Sequence, residues 1–130
     1  MEKYKGSCHC GRIRYEVTTD LSRVSECNCS ICRLKAYIHH MVLPEQFRLL
    51  EGETDLATYQ FGTMQARHHF CRICGVAVFF RPRANPSNYM VNVRCLDGVD
   101  LSRLQVVQFD GRSWDSVAGA PYDGPWKFLK

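Results

Sequence analysis

The sequence predicts a mainly β domain. Short alternating or β-branched runs recur along it, turn-forming pairs separate those runs, and no long stretch keeps a helical apolar period. Its 130 residues fit a single domain, 1–130, long enough to bury a core.

The elements follow in order. "RIRYEV" places Ile13, Tyr15 and Val17 on one face, as a half-buried strand does. "YIHHMVL" is apolar around the pair His39 and His40. "LPEQFRLL" can hold one helical turn, because proline is tolerated at a first helical position. "ATYQF" alternates, and "VAVFF" and "MVNV" are short and rich in β-branched and aromatic residues. "RPRANPSN" reads as a loop, since Pro82 and Pro86 deny it regular structure. "DGVDLSRL" can hold a second turn, and "LQVVQF" is a strand closed by the pair Asp110-Gly111. The tail "AGAPYDGPW" is rich in Gly and Pro and is expected at the surface.

Composition narrows the function classes. The hydrophobic fraction is 45% and the charged fraction 23%, both ordinary for a globular protein. No apolar run is long enough for a membrane span, so no membrane partner is expected. The start "MEKYKGSCHCG" lacks the apolar segment of a signal peptide, which points to a cytoplasmic, reducing location. The net charge of +4 comes from scattered Lys and Arg rather than a basic stripe. A nucleic-acid partner is therefore not expected, while a small anionic substrate is compatible.

Eight cysteines are many for such a chain. A secreted protein would use them in as many as four disulfides, an intracellular one for metal or redox work. Seven fall into three groups: Cys8 and Cys10 in "GSCHCG", Cys27, Cys29 and Cys32 in "CNCSIC", and Cys71 and Cys74 in "FCRICG". Cys95 stands alone. Cys71-x-x-Cys74 before Gly75 reads as a zinc knuckle. Cys8 and Cys10 point to one side of an extended chain, with Gly6 and Gly11 permitting a bend. Together the four make a tetrahedral thiolate set that ties the first strand to the middle of the chain. The central three make a tetrahedron one ligand short, as catalytic zinc sites do. Cys95, His9, His39, His40, His68 or His69 could fill the fourth place and make this second site structural too.

These motifs in their order, with "RPRANPSNYMVNVRCLDG" and "FDGRSWD", resemble the family of glutathione-dependent formaldehyde-activating enzyme (GFA) and centromere protein V, over about residues 6–117. The resemblance implies a β-tent, small antiparallel sheets meeting at an angle and pinned by zinc. It implies two zinc ions, a structural one at Cys8, Cys10, Cys71 and Cys74 and a catalytic-type one at Cys27, Cys29 and Cys32. It also implies a carbon–sulfur lyase that joins a small thiol, glutathione, to formaldehyde as S-hydroxymethylglutathione. His39 and His40 are the nearest candidate proton donors, followed by His68 and His69. Arg81, Arg83 and Arg94 are candidates for the carboxylates of such a ligand. Two other readings stay open: a non-catalytic zinc module for protein or chromatin, and a disulfide-stapled secreted domain.

Overall fold

The computed structural model describes residues 1–62, 64–83 and 85–111, with the backbone of residues 128–129. The "FDGRSWD" signature beyond Gly111 and the Gly/Pro-rich tail lie outside the described residues. The strands are β1 (Glu2–Ser7), β2 (Arg14–Thr19), β3 (Val24–Cys27), β4 (His39–Val42), β5 (Phe47–Glu51), β6 (Leu56–Tyr59), β7 (Arg67–Cys71), β8 (Ala77–Arg81), β9 (Tyr89–Asn92), β10 (Val106–Phe109) and β11 (Phe128–Leu129). They form a three-stranded sheet, β1-β2-β5, and an eight-stranded sheet, β11-β10-β3-β4-β9-β8-β7-β6. No helix among the described residues is long and apolar enough to cross a membrane.

The domain is mainly β, as expected, but its larger sheet is mixed. β10 pairs with β3 in parallel, from Val106 beside Val24 to Phe109 beside Cys27. All other named strand pairs are antiparallel. A parallel pair needs a long connection. Here that connection carries the chain from β3 through most of the fold, which places the turn after β10 beside the central cysteines.

One core cluster joins the two sheets. Ile13, Tyr15 and Val17 come from the β2 segment, and Val78, Phe79, Val91 and Val93 from the β8–β9 side. Tyr15 is fully buried between Phe47, whose centroid is 5.3 Å away, and Phe79 at 5.8 Å. A side chain on Gly6 would overlap the Tyr15 ring, so this glycine makes room for packing rather than for the bend expected of it. The β7–β8 pairing carries a bulge: His69 pairs with Phe79 and Phe70 with Ala77, leaving Val78 as the extra residue. The Tyr15 hydroxyl donates to the Val78 carbonyl at 3.1 Å, which gives the buried phenol its partner.

Both expected helical turns form. Pro44–Gln46 is a 3-10 turn in which the Gln46 side chain accepts from the Leu43 N–H at 2.8 Å. Leu101–Arg103 is another, capped by the Asp100 carboxylate on the Ser102 N–H at 3.0 Å. The helix α1 (Cys32–Lys35) was not expected. It ends where Ala36 turns left-handed at φ 51° and returns its N–H to the Cys32 carbonyl.

Candidate metal centres and the adjoining cavity

Two groups of thiols have sulfurs within 4.8 Å of one another: Cys8, Cys10, Cys71 and Cys74, and separately Cys27, Cys29 and Cys32. Each can hold a metal ion, and all seven spacing-predicted cysteines fall in one group or the other.

The four-thiol group is built by two turns from distant parts of the chain. After β7, Cys71 accepts the Gly75 N–H on its carbonyl at 2.8 Å, and Gly75 takes φ +81°. After β1, Cys8 accepts the Gly11 N–H on its carbonyl at 3.3 Å, again with φ +81° at the glycine. Cys8 and Cys10 therefore converge through a turn and not along an extended chain. The Sγ–Sγ separations are 3.6 Å from Cys8 to Cys10 and 3.6 Å from Cys10 to Cys71. An ion bound tetrahedrally at roughly 2.3 Å requires sulfur edges of about 3.8 Å, so the spacing fits. Backbone N–H groups of Ile13 and Cys74 donate to Cys8 and Cys71 Sγ at 3.4 Å each. Hydrogen bonds from Arg12, first the backbone and then the side chain, lower the Cys10 thiol to about 6.

The three-thiol group sits where β3 ends and α1 begins. The Cys29 N–H donates to Cys27 Sγ and the Cys32 N–H to Cys29 Sγ, both at 3.4 Å. Cys29 is drawn down to about 2 because Cys27 and Cys32 donate to it, and the bond with Cys29, with burial, raises Cys27 to about 12. Cys32 is raised as well, by its bonds to Cys27 and Cys29 and by burial. Three crowded thiolates repel one another, so full ionisation calls for a cation among them. Among the described residues no fourth His, Cys, Asp or Glu ligand atom joins the group. Cys95 lies elsewhere, half-buried, with its S–H directed to the Ala77 carbonyl at 3.6 Å.

The turn after β10 closes over these sulfurs. Asn28 donates its backbone N–H to the Phe109 carbonyl at 3.3 Å and its side-chain N–H to Asp110 Oδ1 at 3.1 Å. Gly111 then passes so near that a Cβ would collide with Cys27 Sγ and lie 3.1 Å from Cys29 Cβ. Asp110-Gly111 was legible as a strand-ending turn, but its contact with the thiols was not.

A cavity of about 400 Å³ adjoins the three-thiol group, and Cys27, Cys29 and Cys32 all line it. Strand alternation decides what else faces it. His39 lines the cavity and His40 does not. His39 is 4% exposed, and its Nε2 is buried with no hydrogen-bond partner. Burial lowers it to about 4, against a partial upward pull from Cys29. His40 turns the other way and is fully engaged, with Nδ1 2.7 Å from the Arg23 carbonyl and Nε2 2.6 Å from Thr19 Oγ1. On β7, His68 lines the cavity and is also lowered to about 4, first by burial. His69 faces away, with Nδ1 2.9 Å from Thr58 Oγ1. His9 belongs to neither group.

The arginines divide in the same way. Arg83 lines the cavity, as does Arg23, which the motifs did not single out. Arg81 donates to the Asn88 and Ser87 carbonyls at 3.0 Å each and lies 4.0 Å over the Tyr89 ring. Arg94 donates to the Ala36 carbonyl at 3.1 Å outside this cavity.

The profile of the family described as "Glutathione-dependent formaldehyde-activating enzyme" matches residues 3–109. An uncharacterised lyase of Schizosaccharomyces pombe is 22% identical over 100 residues, 77% of this chain and 73% of that protein. A crystal structure of a Rhodobacter sphaeroides protein superposes with a TM-score of 0.74 at 39% identity, covering 80% of this chain and 97% of that one. The chain belongs to the glutathione-dependent formaldehyde-activating enzyme family.

Proposed function

We propose that the protein is a zinc-dependent carbon–sulfur lyase that makes and breaks the bond between a small thiol and a carbonyl carbon, glutathione and formaldehyde being the reactants the family description suggests. The observation that carries this is the three-thiol group in the lining of a cavity, with no fourth protein donor among the described residues. Cys8, Cys10, Cys71 and Cys74 hold a structural zinc, and Cys27, Cys29 and Cys32 a catalytic one. When bound there, the second zinc supplies a thiophilic anchor that keeps a substrate thiol deprotonated at neutral pH.

The chain's own groups supply the rest. In the forward direction the thiol sulfur bonds to the carbonyl carbon, the C=O π bond opens onto oxygen, and the thiol proton ends on that oxygen. His39, neutral because burial lowers it to about 4, is the proton carrier, with its Nε2 left for this work. His40 keeps the strand in place through its bonds to Thr19 and Arg23. Arg23 and Arg83 at the cavity suit the carboxylates of a glutathione-like thiol.

Exchange NMR tests the reading. Glutathione and formaldehyde form S-hydroxymethylglutathione unaided, so the measurement is the exchange rate with and without zinc-loaded protein. Faster exchange that disappears in Cys29→Ser supports the lyase. Unchanged exchange at two zinc ions per chain sinks it, and the domain then reads as a non-catalytic zinc module.

A further inference from the structure

The cavity is built for more carbon than formaldehyde carries. Its floor is one face of the large sheet. Met41 pairs with Met90, Met90 with Phe80, and Phe80 with His68, a row across β4, β9, β8 and β7. All four line the cavity, as does Cys27 on β3, the next strand beyond β4. The floor therefore spans four strands, from Met41 to His68. Phe61 extends it, its ring stacked on His68 at 5.7 Å.

Met41, Met90 and Phe80 make an apolar stretch of this floor, with His68 at one end and Arg23 and Arg83 elsewhere in the lining. Formaldehyde has no substituent to lay on Met41, Met90 and Phe80. The arms of glutathione carry charges and amides, which lose hydration over thioether and phenyl groups without gaining partners. We infer that the carbonyl reactant bears an apolar substituent, an aliphatic chain or an aromatic ring, that lies on the floor formed by Met41, Met90 and Phe80. The inference rests on the lyase reading and names the substrate class of that same site.

Thioethers test it without turnover. S-methylglutathione and S-benzylglutathione imitate the adduct and have no exchangeable thiol. In calorimetry with zinc-loaded protein, the benzyl compound should bind about tenfold more tightly or better, from the apolar area it buries. That preference should shrink in Met41→Gln. It should also shrink in Phe61→Ser, at a ring 41% exposed, where substitution spares the fold. Exchange NMR adds a second readout, with benzaldehyde and butanal accelerated over their own background more than formaldehyde is. Equal binding of the two thioethers overturns the inference and leaves the lyase reading standing. Absence of acceleration with all three aldehydes overturns the lyase reading and the inference with it.

Discussion

The two faces of the eight-stranded sheet come from the same strands and do different work. Toward the small sheet lie Phe79, Val91 and, at the far end of β7, Cys71, which is 1% exposed. Toward the cavity lie Phe80, Met90, His39 and Cys27. Each face carries a thiol group. On the packed face four sulfurs from turns 61 residues apart form a group that can hold a metal ion. On the cavity face three sulfurs from one short segment form a second such group, with no fourth His, Cys, Asp or Glu ligand among the described residues. In the proposed function, donor number and donor separation, more than donor chemistry, divide a pin from a reaction centre.

Substitutions can break or sharpen this contrast. The largest effect is expected from Cys71→Ser, which undoes a link between distant segments and should cost about 5 kcal/mol, measured by denaturant unfolding. Cys29→Ser should remove one of two metal ions and the lyase activity while costing only about 1 kcal/mol of stability. If it unfolds the domain as badly as Cys71→Ser, the division between pin and reaction centre fails. His39→Gln should slow exchange about 100-fold with both metal ions retained. Gly111→Ala should weaken metal affinity of the three-thiol group about tenfold, seen by competition with a chelator, because its methyl group enters the space of Cys27 Sγ. His40→Gln should have the smallest effect, about 1 kcal/mol of stability from its lost bonds, with exchange kept. A loss of activity in His40→Gln equal to that in His39→Gln would erase the distinction between the faces.

Much of this was legible in the sequence where the signal is local. The thiol groups follow from spacing, because a turn of a few residues dictates where its sulfurs converge. The strand of Tyr15 and Val17 follows from alternation. What depends on distant pairing was not legible. Adjacent histidines on a strand must face opposite ways, yet whether His39 or His40 meets the cavity is settled by the pairing of β4 with β9. β7 hid behind its histidines and its knuckle, and β1 behind its exposed polar residues. The parallel pairing of β10 with β3 joins residues about eighty positions apart, and no local pattern marks it.

The bulge at Val78 has a consequence for comparing relatives. It gives the packed face one side chain more than strict alternation allows, while Ala77 and Phe80 stay on the cavity side. A homologue that lacks this residue would lose a core valine and keep its cavity face in phase. The interval from the knuckle to Phe80 is therefore an elastic measure. An alignment that treats it as a rigid ruler would report a shifted cavity lining where only the packing had changed.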